Sequence, residues 1–256
     1  MSIFILKEER EMLWDRRPYM AEFIGTFFFV TIGILSLIAS AVLGLLDDGS
    51  TRVMVAAAHG GAIALMVSMF GAVSGGHFNP AVTFAMFLRG KIGIMRGFLY
   101  ICAQLGGALL AAFLLKVSII DAIVTKLPEL EEYFTALKIG TPTFAESGLP
   151  MYSWFFIEIV LTAILVTVIL RNAIEQEFPV WAAGLTIGGA VFIDVLAGGP
   201  FTGAAMNPAR AFGPAAVSGY WANHWVYWAA PMMGAALGVL INQITSRKND
   251  AMRASS

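Results

Sequence analysis

Two short segments of this chain carry the residues most able to do chemistry, and they are the same three residues. Asn79-Pro80-Ala81 and Asn207-Pro208-Ala209 each place a strong N-cap before a proline. Asparagine accepts from the free N–H groups of a helix start, and proline suits the first helical position because its missing N–H would be unpaired there. Each triplet therefore predicts a helix N-terminus, which carries roughly half a positive charge. Two such ends facing one space would offer the Asn79 and Asn207 amides to a neutral oxygen while repelling a cation. That arrangement favours neutral molecules over protons and ions. One Asn-Pro is an ordinary turn signal; two, each behind a Gly-rich stretch in an apolar frame, are specific. Nothing else in the chain reads as catalysis. No nucleophile–base motif or metal-ligand spacing occurs, and the single cysteine, Cys102, excludes an intramolecular disulfide and a multi-cysteine metal site. The expectation is no enzyme, no cofactor and no metal.

The elements around the triplets follow from composition. The chain is 256 residues, 58% hydrophobic and 13% charged, against about 25% charged in soluble domains. Lipid rather than water should contact most of its surface. A net charge of -1 argues against a nucleic-acid partner. No cleavable signal is visible at the start, where Lys7 to Arg17 mixes acids and bases as a solvated tail does. A helix needs about 20 apolar residues to cross a bilayer. Six crossings are predicted near 20–43, 53–73, 96–115, 152–170, 178–197 and 222–244.

Two apolar segments remain. Val53–Leu88 would span roughly 54 Å as one helix, too long for the hydrocarbon core. Ser74-Gly75-Gly76 is expected to break it, leaving a half-helix near 79–88. Gly198-Gly199-Pro200 is expected to break the second run in the same way, before a half-helix near 207–217. Short helices at membrane depth must be buried or line a cavity. Glu22 in the first crossing and Glu158 in the fourth each precede a triplet, so the halves repeat. With three crossings per half, the second copy is inverted. The fold class is therefore an all-α membrane protein of six transmembrane helices and two re-entrant half-helices. Its expected divisions are a tail 1–18, a channel domain 19–245 and a tail 246–256. Within the domain, repeats of about 19–115 and 151–245 flank a polar connecting loop 116–150, expected outside. Basic residues put both termini on the cytosolic side. Lys7, Arg10, Arg16, Arg17, Arg89, Lys91, Arg96, Arg171, Arg247, Lys248 and Arg253 fall inside, against Arg52, Lys116, Lys126 and Lys138 outside.

Residues Ser74-Gly75-Gly76-His77-Phe78-Asn79-Pro80-Ala81-Val82 and Gly203-Ala204-Ala205-Met206-Asn207-Pro208-Ala209-Arg210 resemble the aquaporins, and the likeness covers about 20–245. Leu196-Ala197-Gly198-Gly199-Pro200 and Asn223-His224-Trp225-Val226-Tyr227-Trp228 are similar to plant tonoplast-intrinsic aquaporins and the ammonia-permeable animal branch. The resemblance implies a passive channel for water and small neutral solutes, assembled as a homotetramer in a bilayer. It places a selectivity filter at His59, Val195, Ala204 and Arg210. Strict water channels have phenylalanine where His59 stands and histidine where Val195 stands. This set looks like the tonoplast-type and ammonia-permeable filters, so water and ammonia are the expected solutes, with hydrogen peroxide and urea as further candidates. Some tonoplast-type channels add a histidine from the connecting loop; 116–150 has none, which weakens the ammonia expectation.

By the same resemblance Glu22 and Glu158 brace the backbone before each half-helix, and Gln104 is a buried polar brace. His77 packs beneath the first triplet, where pore-lining and structural readings both stand. Asp194 has no counterpart in water-strict filters; it caps loop backbone or sits at the outer mouth. His224 reads as part of an aromatic belt with Trp225 and Trp228. Gly184, Gly188, Gly234 and Gly238 suit close helix contact, and Arg171–Glu177 reads as a solvated loop. Water channels often hold a cysteine where Ala204 stands, so weak mercury inhibition is expected. The rival readings are a glycerol facilitator, disfavoured by Ala211 and the lack of a bulky aromatic at 59, a coupled transporter using Glu22, Glu158 and Asp194, and a junction protein with a narrowed pore. Which membrane houses the chain is left open.

Overall fold

A backbone in hydrocarbon must satisfy its own hydrogen bonds, so long apolar runs fold as helices. The computed structural model describes residues 14–43, 49–143, 148–175 and 178–246. Lys7, Arg10, Arg247, Lys248 and Arg253 of the two tails lie outside the described residues, as do 176–177. The elements are α1 (Arg17–Val42), α2 (Gly49–Ser74), α3 (Pro80–Leu88), α4 (Ile94–Leu115), α5 (Asp121–Lys126), α6 (Glu131–Leu137), α7 (Met151–Ile169), α8 (Val180–Thr202), α9 (Pro208–Ser218) and α10 (Val226–Thr245). Among the described residues, five helical stretches are long and apolar enough to cross a membrane, namely 17–42, 49–74, 94–126, 151–175 and 180–202. The sixth, α10, has 20 residues and so reaches ~30 Å, though Pro231, Asn242 and Gln243 make it more polar. Its start lies four residues beyond the predicted 222, because 222–225 form turns before it.

The halves pack alike. Helix α1 lies on α4, as α7 lies on α10, and α2 crosses α8 at the centre. Each half-helix packs chiefly on the closing helix of the other half: α3 on α10 and α9 on α4. Glycine makes the central crossing possible. A Cβ on Gly60 would sit 2.5 Å from the Gly188 carbonyl oxygen, and one on Gly184 2.7 Å from that of Ala64. Gly234 and Gly238 face the carbonyls of Ile159 and Ala163 on α7 in the same manner. All four expected glycines thus lie at helix crossings within the subunit.

Three expectations are corrected. The segment 116–140 is helical rather than a polar loop. A π-helical turn at Lys116–Ile120 carries α4 straight into α5, and α6 follows between the 3-10 turn Pro128–Leu130 and a left-handed turn at Lys138–Gly140. Leu130, Tyr133, Phe134 and Leu137 repeat at helical spacing and pack on the core, a pattern hidden by the acids Glu129, Glu131 and Glu132. The second break is not at Gly198-Gly199-Pro200. Helix α8 continues to Thr202, because a proline so near the C-terminus removes only one ladder bond. The stop is Gly203, left-handed at φ 76, whose N–H reaches the Gly199 carbonyl at 2.9 Å. Finally, 170–175 extend α7 as a π-helical stretch rather than a loop, with Arg171 paired to Glu175 at 2.9 Å.

Candidate functional site

Each triplet forms the helix start that its residue types dictate. The Asn79 side-chain oxygen accepts from the Ala81 N–H at 2.8 Å, and Asn207 accepts from Ala209 and Arg210 at 3.0 and 3.2 Å. The two caps then reach across the molecule. Asn79 Nδ2 donates to the Met206 carbonyl at 2.9 Å, and Asn207 Nδ2 donates to the Phe78 carbonyl at 2.8 Å. These reciprocal bonds tie the two helix starts together. They also revise an expectation. One N–H of each amide is spent on the opposite half, so each asparagine has a single further donor to offer a passing molecule.

The backbone leading into each triplet is strained and must be held. Phe78 and Met206 are left-handed at φ 48 and 50, and Ala204 is at φ 41. Such residues persist only where their surroundings impose the conformation. Two buried carboxylates do so. Glu22 accepts from Ser74 Oγ at 2.6 Å, from the N–H of His77 at 2.9 Å and of Phe78 at 2.6 Å, and from Gln104 Nε2 at 2.8 Å. Glu158 accepts from Thr202 Oγ1 at 2.7 Å and from the N–H groups of Ala205 and Met206 at 2.9 and 2.8 Å. Gln104 also reaches Thr83 at 3.0 Å. Around the acids stand partners that the sequence reading missed. Tyr100 donates to the Ser74 carbonyl at 2.9 Å, and Tyr227 to the Thr202 carbonyl at 2.7 Å. A signal was available, since Ser74 and Thr202 each carry a hydroxyl five residues before a triplet asparagine.

Between the half-helices runs an hourglass. A vestibule of about 680 Å³ is lined by Gly75, His77, Lys91, Arg96 and Tyr100 among others. A second, of about 560 Å³, is lined by Arg52, Tyr133, Gly140, Pro200 and Arg210 among others. The waist between them shares wall residues with both and holds only about 30 Å³. Its lining brings together His59, Val195, Ala204 and Arg210 with Asn79, Asn207 and His77. His59 is oriented by a bond between Nδ1 and the Val55 carbonyl at 2.8 Å and by edge contact with Phe29 at 5.8 Å. Its other nitrogen faces Gly33, where a Cβ would come within 2.6 Å. Arg210 is 9% exposed and donates Nη1 to the Gly140 carbonyl at 3.0 Å. His77 is among the residues that line the vestibule and the waist, and its Nδ1 lies 3.1 Å from Thr83 Oγ1. Pro80, Ala81, Pro208 and Ala209 are buried behind the caps.

Asp194 fits neither role foreseen for it. It is fully buried, lines neither the waist nor a vestibule, and its Oδ2 has no partner. Glu22 and Glu158 likewise lie behind the waist, so the three acids do not form a path along it. His224 accepts from Trp228 Nε1 at 3.2 Å and meets Trp221 edge-on at 4.9 Å; partial burial holds its imidazole below the ordinary value, which suits an acceptor. Among the described residues no cluster of three or more metal-ligating side chains occurs.

Known proteins resemble this chain in sequence and in fold. The model of the family "Major intrinsic protein" matches residues 10–242. The chain is 39% identical to aquaporin TIP1-1 of Arabidopsis thaliana over 232 residues, covering 88% of this chain and 85% of the relative. It is 37% identical to aquaporin-8 of Mus musculus over 227 residues, with 88% and 80% covered. Among solved structures, the aquaglyceroporin from Plasmodium falciparum superposes with a TM-score of 0.71 at 23% identity, covering 88% of this chain and 93% of that one. That last likeness speaks to the fold.

Proposed function

The chain belongs to the major intrinsic protein family, and from that premise we propose that its waist passes water and ammonia while excluding protons, ions and glycerol. It is a passive channel in a lipid bilayer and not an enzyme. The observation that carries the finer reading is the composition of the narrowest point, where His59, Val195, Ala204 and Arg210 line one cavity of about 30 Å³ with both triplet asparagines. His59 and Arg210 present polar edges, while Val195 and Ala204 are small enough to leave room beside them. A water or ammonia molecule exchanges hydrogen bonds with those edges and with the free N–H of each asparagine. A cation meets the positive ends of two half-helices and a guanidinium, without a carboxylate in the lining to offset them. Hydrogen peroxide and urea are further candidates by size and neutrality.

Other parts of the reading stand on the same footing. Glu22, Glu158, Gln104 and His77 support the half-helices and take no part in proton transfer. The assembly is a homotetramer with both termini cytosolic, and the channel domain spans 19–245 between two tails. Stopped-flow measurements on the reconstituted full chain separate the solutes. Water and ammonia flux well above that of empty vesicles is expected, with glycerol at the lipid background. Ammonia flux no greater than background would sink the ammonia part, and rapid glycerol-driven swelling would favour a glycerol facilitator.

A further inference from the structure

The segment that joins the halves ends in an unusual run of backbone. Lys138, Ile139 and Gly140 are all left-handed, at φ 49, 55 and 76. Two of the three bear side chains, and Ile139 is β-branched, so this conformation is imposed from outside. The contacts that impose it are specific. Lys138 Nζ lies 3.8 Å from the centre of the Tyr220 ring. Thr141 Oγ1 donates to the Lys138 carbonyl at 2.6 Å and lies 3.2 Å from Ser218 Oγ. Ile139 is buried, and a Cβ on Gly140 would approach Leu37 to 3.0 Å. The outcome is one carbonyl oxygen held in one place. The Gly140 carbonyl accepts from Arg210 Nη1, and it is the guanidinium's only hydrogen-bond acceptor among the described residues. Both anchor points, Ser218 at the last residue of α9 and Tyr220 two residues past it, lie at the opposite end from the first turn, which carries Arg210. The half-helix thus holds the strap that in turn holds its own arginine.

We propose that the Lys138–Tyr220 cation–π contact, assisted by Thr141 and Ser218, is a positioning clamp that sets the free width of the waist. It keeps the Gly140 carbonyl where it draws the Arg210 guanidinium to the wall, so the side chain cannot swing. Neither Lys138 nor Tyr220 lines the waist; they act through Gly140 and Arg210. A freed guanidinium has several rotamers and no fixed acceptor. Water tolerates that, because a waist wide enough for a larger solute is wide enough for water. Solutes larger than water respond, because the mean opening and its fluctuation both grow. The inference rests on reading Arg210 as a filter residue.

The test is solute selectivity of the full chain in proteoliposomes, read as the ratio of urea to water permeability. Tyr220→Leu removes the ring and Lys138→Gln removes the cation; each is expected to raise the ratio about three- to fivefold, the scale of one lost cation–π contact, with water flux per protein retained. Tyr220→Phe and Lys138→Arg keep the contact and should hold the parental ratio. Lys138 is partly exposed, so its variants carry the test if Tyr220→Leu fails to reconstitute. Combining Tyr220→Leu with Arg210→Ala should raise the ratio no further than Arg210→Ala alone. A parental ratio in both Tyr220→Leu and Lys138→Gln, beside a raised ratio in Arg210→Ala, overturns the clamp and leaves the filter reading intact. A parental ratio in Arg210→Ala itself overturns the filter reading, and the clamp with it. Equal effects of Tyr220→Phe and Tyr220→Leu also overturn the clamp, since the ring face would then be irrelevant.

Discussion

The two carboxylates behind the half-helices show how a charged residue becomes a structural one. Glu158 has three donors aimed at it, two of them backbone N–H groups of a strained loop. Glu158→Ala would leave those donors buried without acceptors, at about 1–3 kcal/mol each. A large fall in thermal stability in detergent is expected together with loss of water flux. Glu158→Gln keeps an acceptor oxygen and should lose less; equal losses in both variants would show that the charge, not the acceptor geometry, matters. Size decides the prediction at the waist. Val195→His places an imidazole in a space of about 30 Å³, so the ratio of urea or ammonia to water permeability should drop while water still passes. Thiol chemistry gives an independent check. Cys102 is exposed and lines neither the waist nor a vestibule, so mercury should inhibit weakly. Ala204→Cys, which puts a thiol in the waist, should make water flux strongly mercury-sensitive.

Elements are placed here by glycine as much as by apolar side chains. In lipid, helix association relies on close backbone approach, and the α2–α8 crossing has it at Gly60, Gly184 and Gly188. Neighbouring glycines supply the control. A Cβ on Gly61 or Gly189 meets nothing within 4 Å. Gly60→Ala and Gly188→Ala should therefore destabilise by about 1–3 kcal/mol through overpacking, whereas Gly61→Ala and Gly189→Ala should be neutral or stabilise by up to about 1 kcal/mol through helix propensity. Thermal unfolding of the four variants checks this, and a Gly60/Gly188 pair no less stable than the Gly61/Gly189 pair would refute it. The connecting segment teaches the converse lesson. Its acids masked a helical repeat at Leu130, Tyr133, Phe134 and Leu137. The misplaced break at Gly198-Gly199-Pro200 has a similar origin, because Gly-Pro marks where a helix is weak, while the residue that takes a left-handed conformation marks where it stops.

The whole molecule is two wide vestibules joined by one narrow waist, so the proposed selectivity falls to the few side chains that line it. Such a path predicts water flux that does not saturate and does not follow a proton gradient; saturation with proton coupling would instead revive a transporter. The proposed orientation predicts that tags on the two termini are reached from the same, cytosolic side in intact cells, and labelling of either one from outside would contradict it. Much of this was readable in the amino-acid order. Apolar runs near 20 residues dictate crossings because hydrocarbon leaves the backbone no other partner. The paired Asn-Pro-Ala triplets dictate two helix starts because their cap and proline chemistry is local. Tertiary structure alone decided what those local elements do to one another. It put Ser74, Tyr100, Thr202 and Tyr227 around the two carboxylates and spent one N–H of each asparagine on the opposite half. It also buried Asp194 away from the path and set Gly140 against Arg210. Those relations join residues far apart in the chain, and no local preference encodes them; they exist only once the two halves have packed.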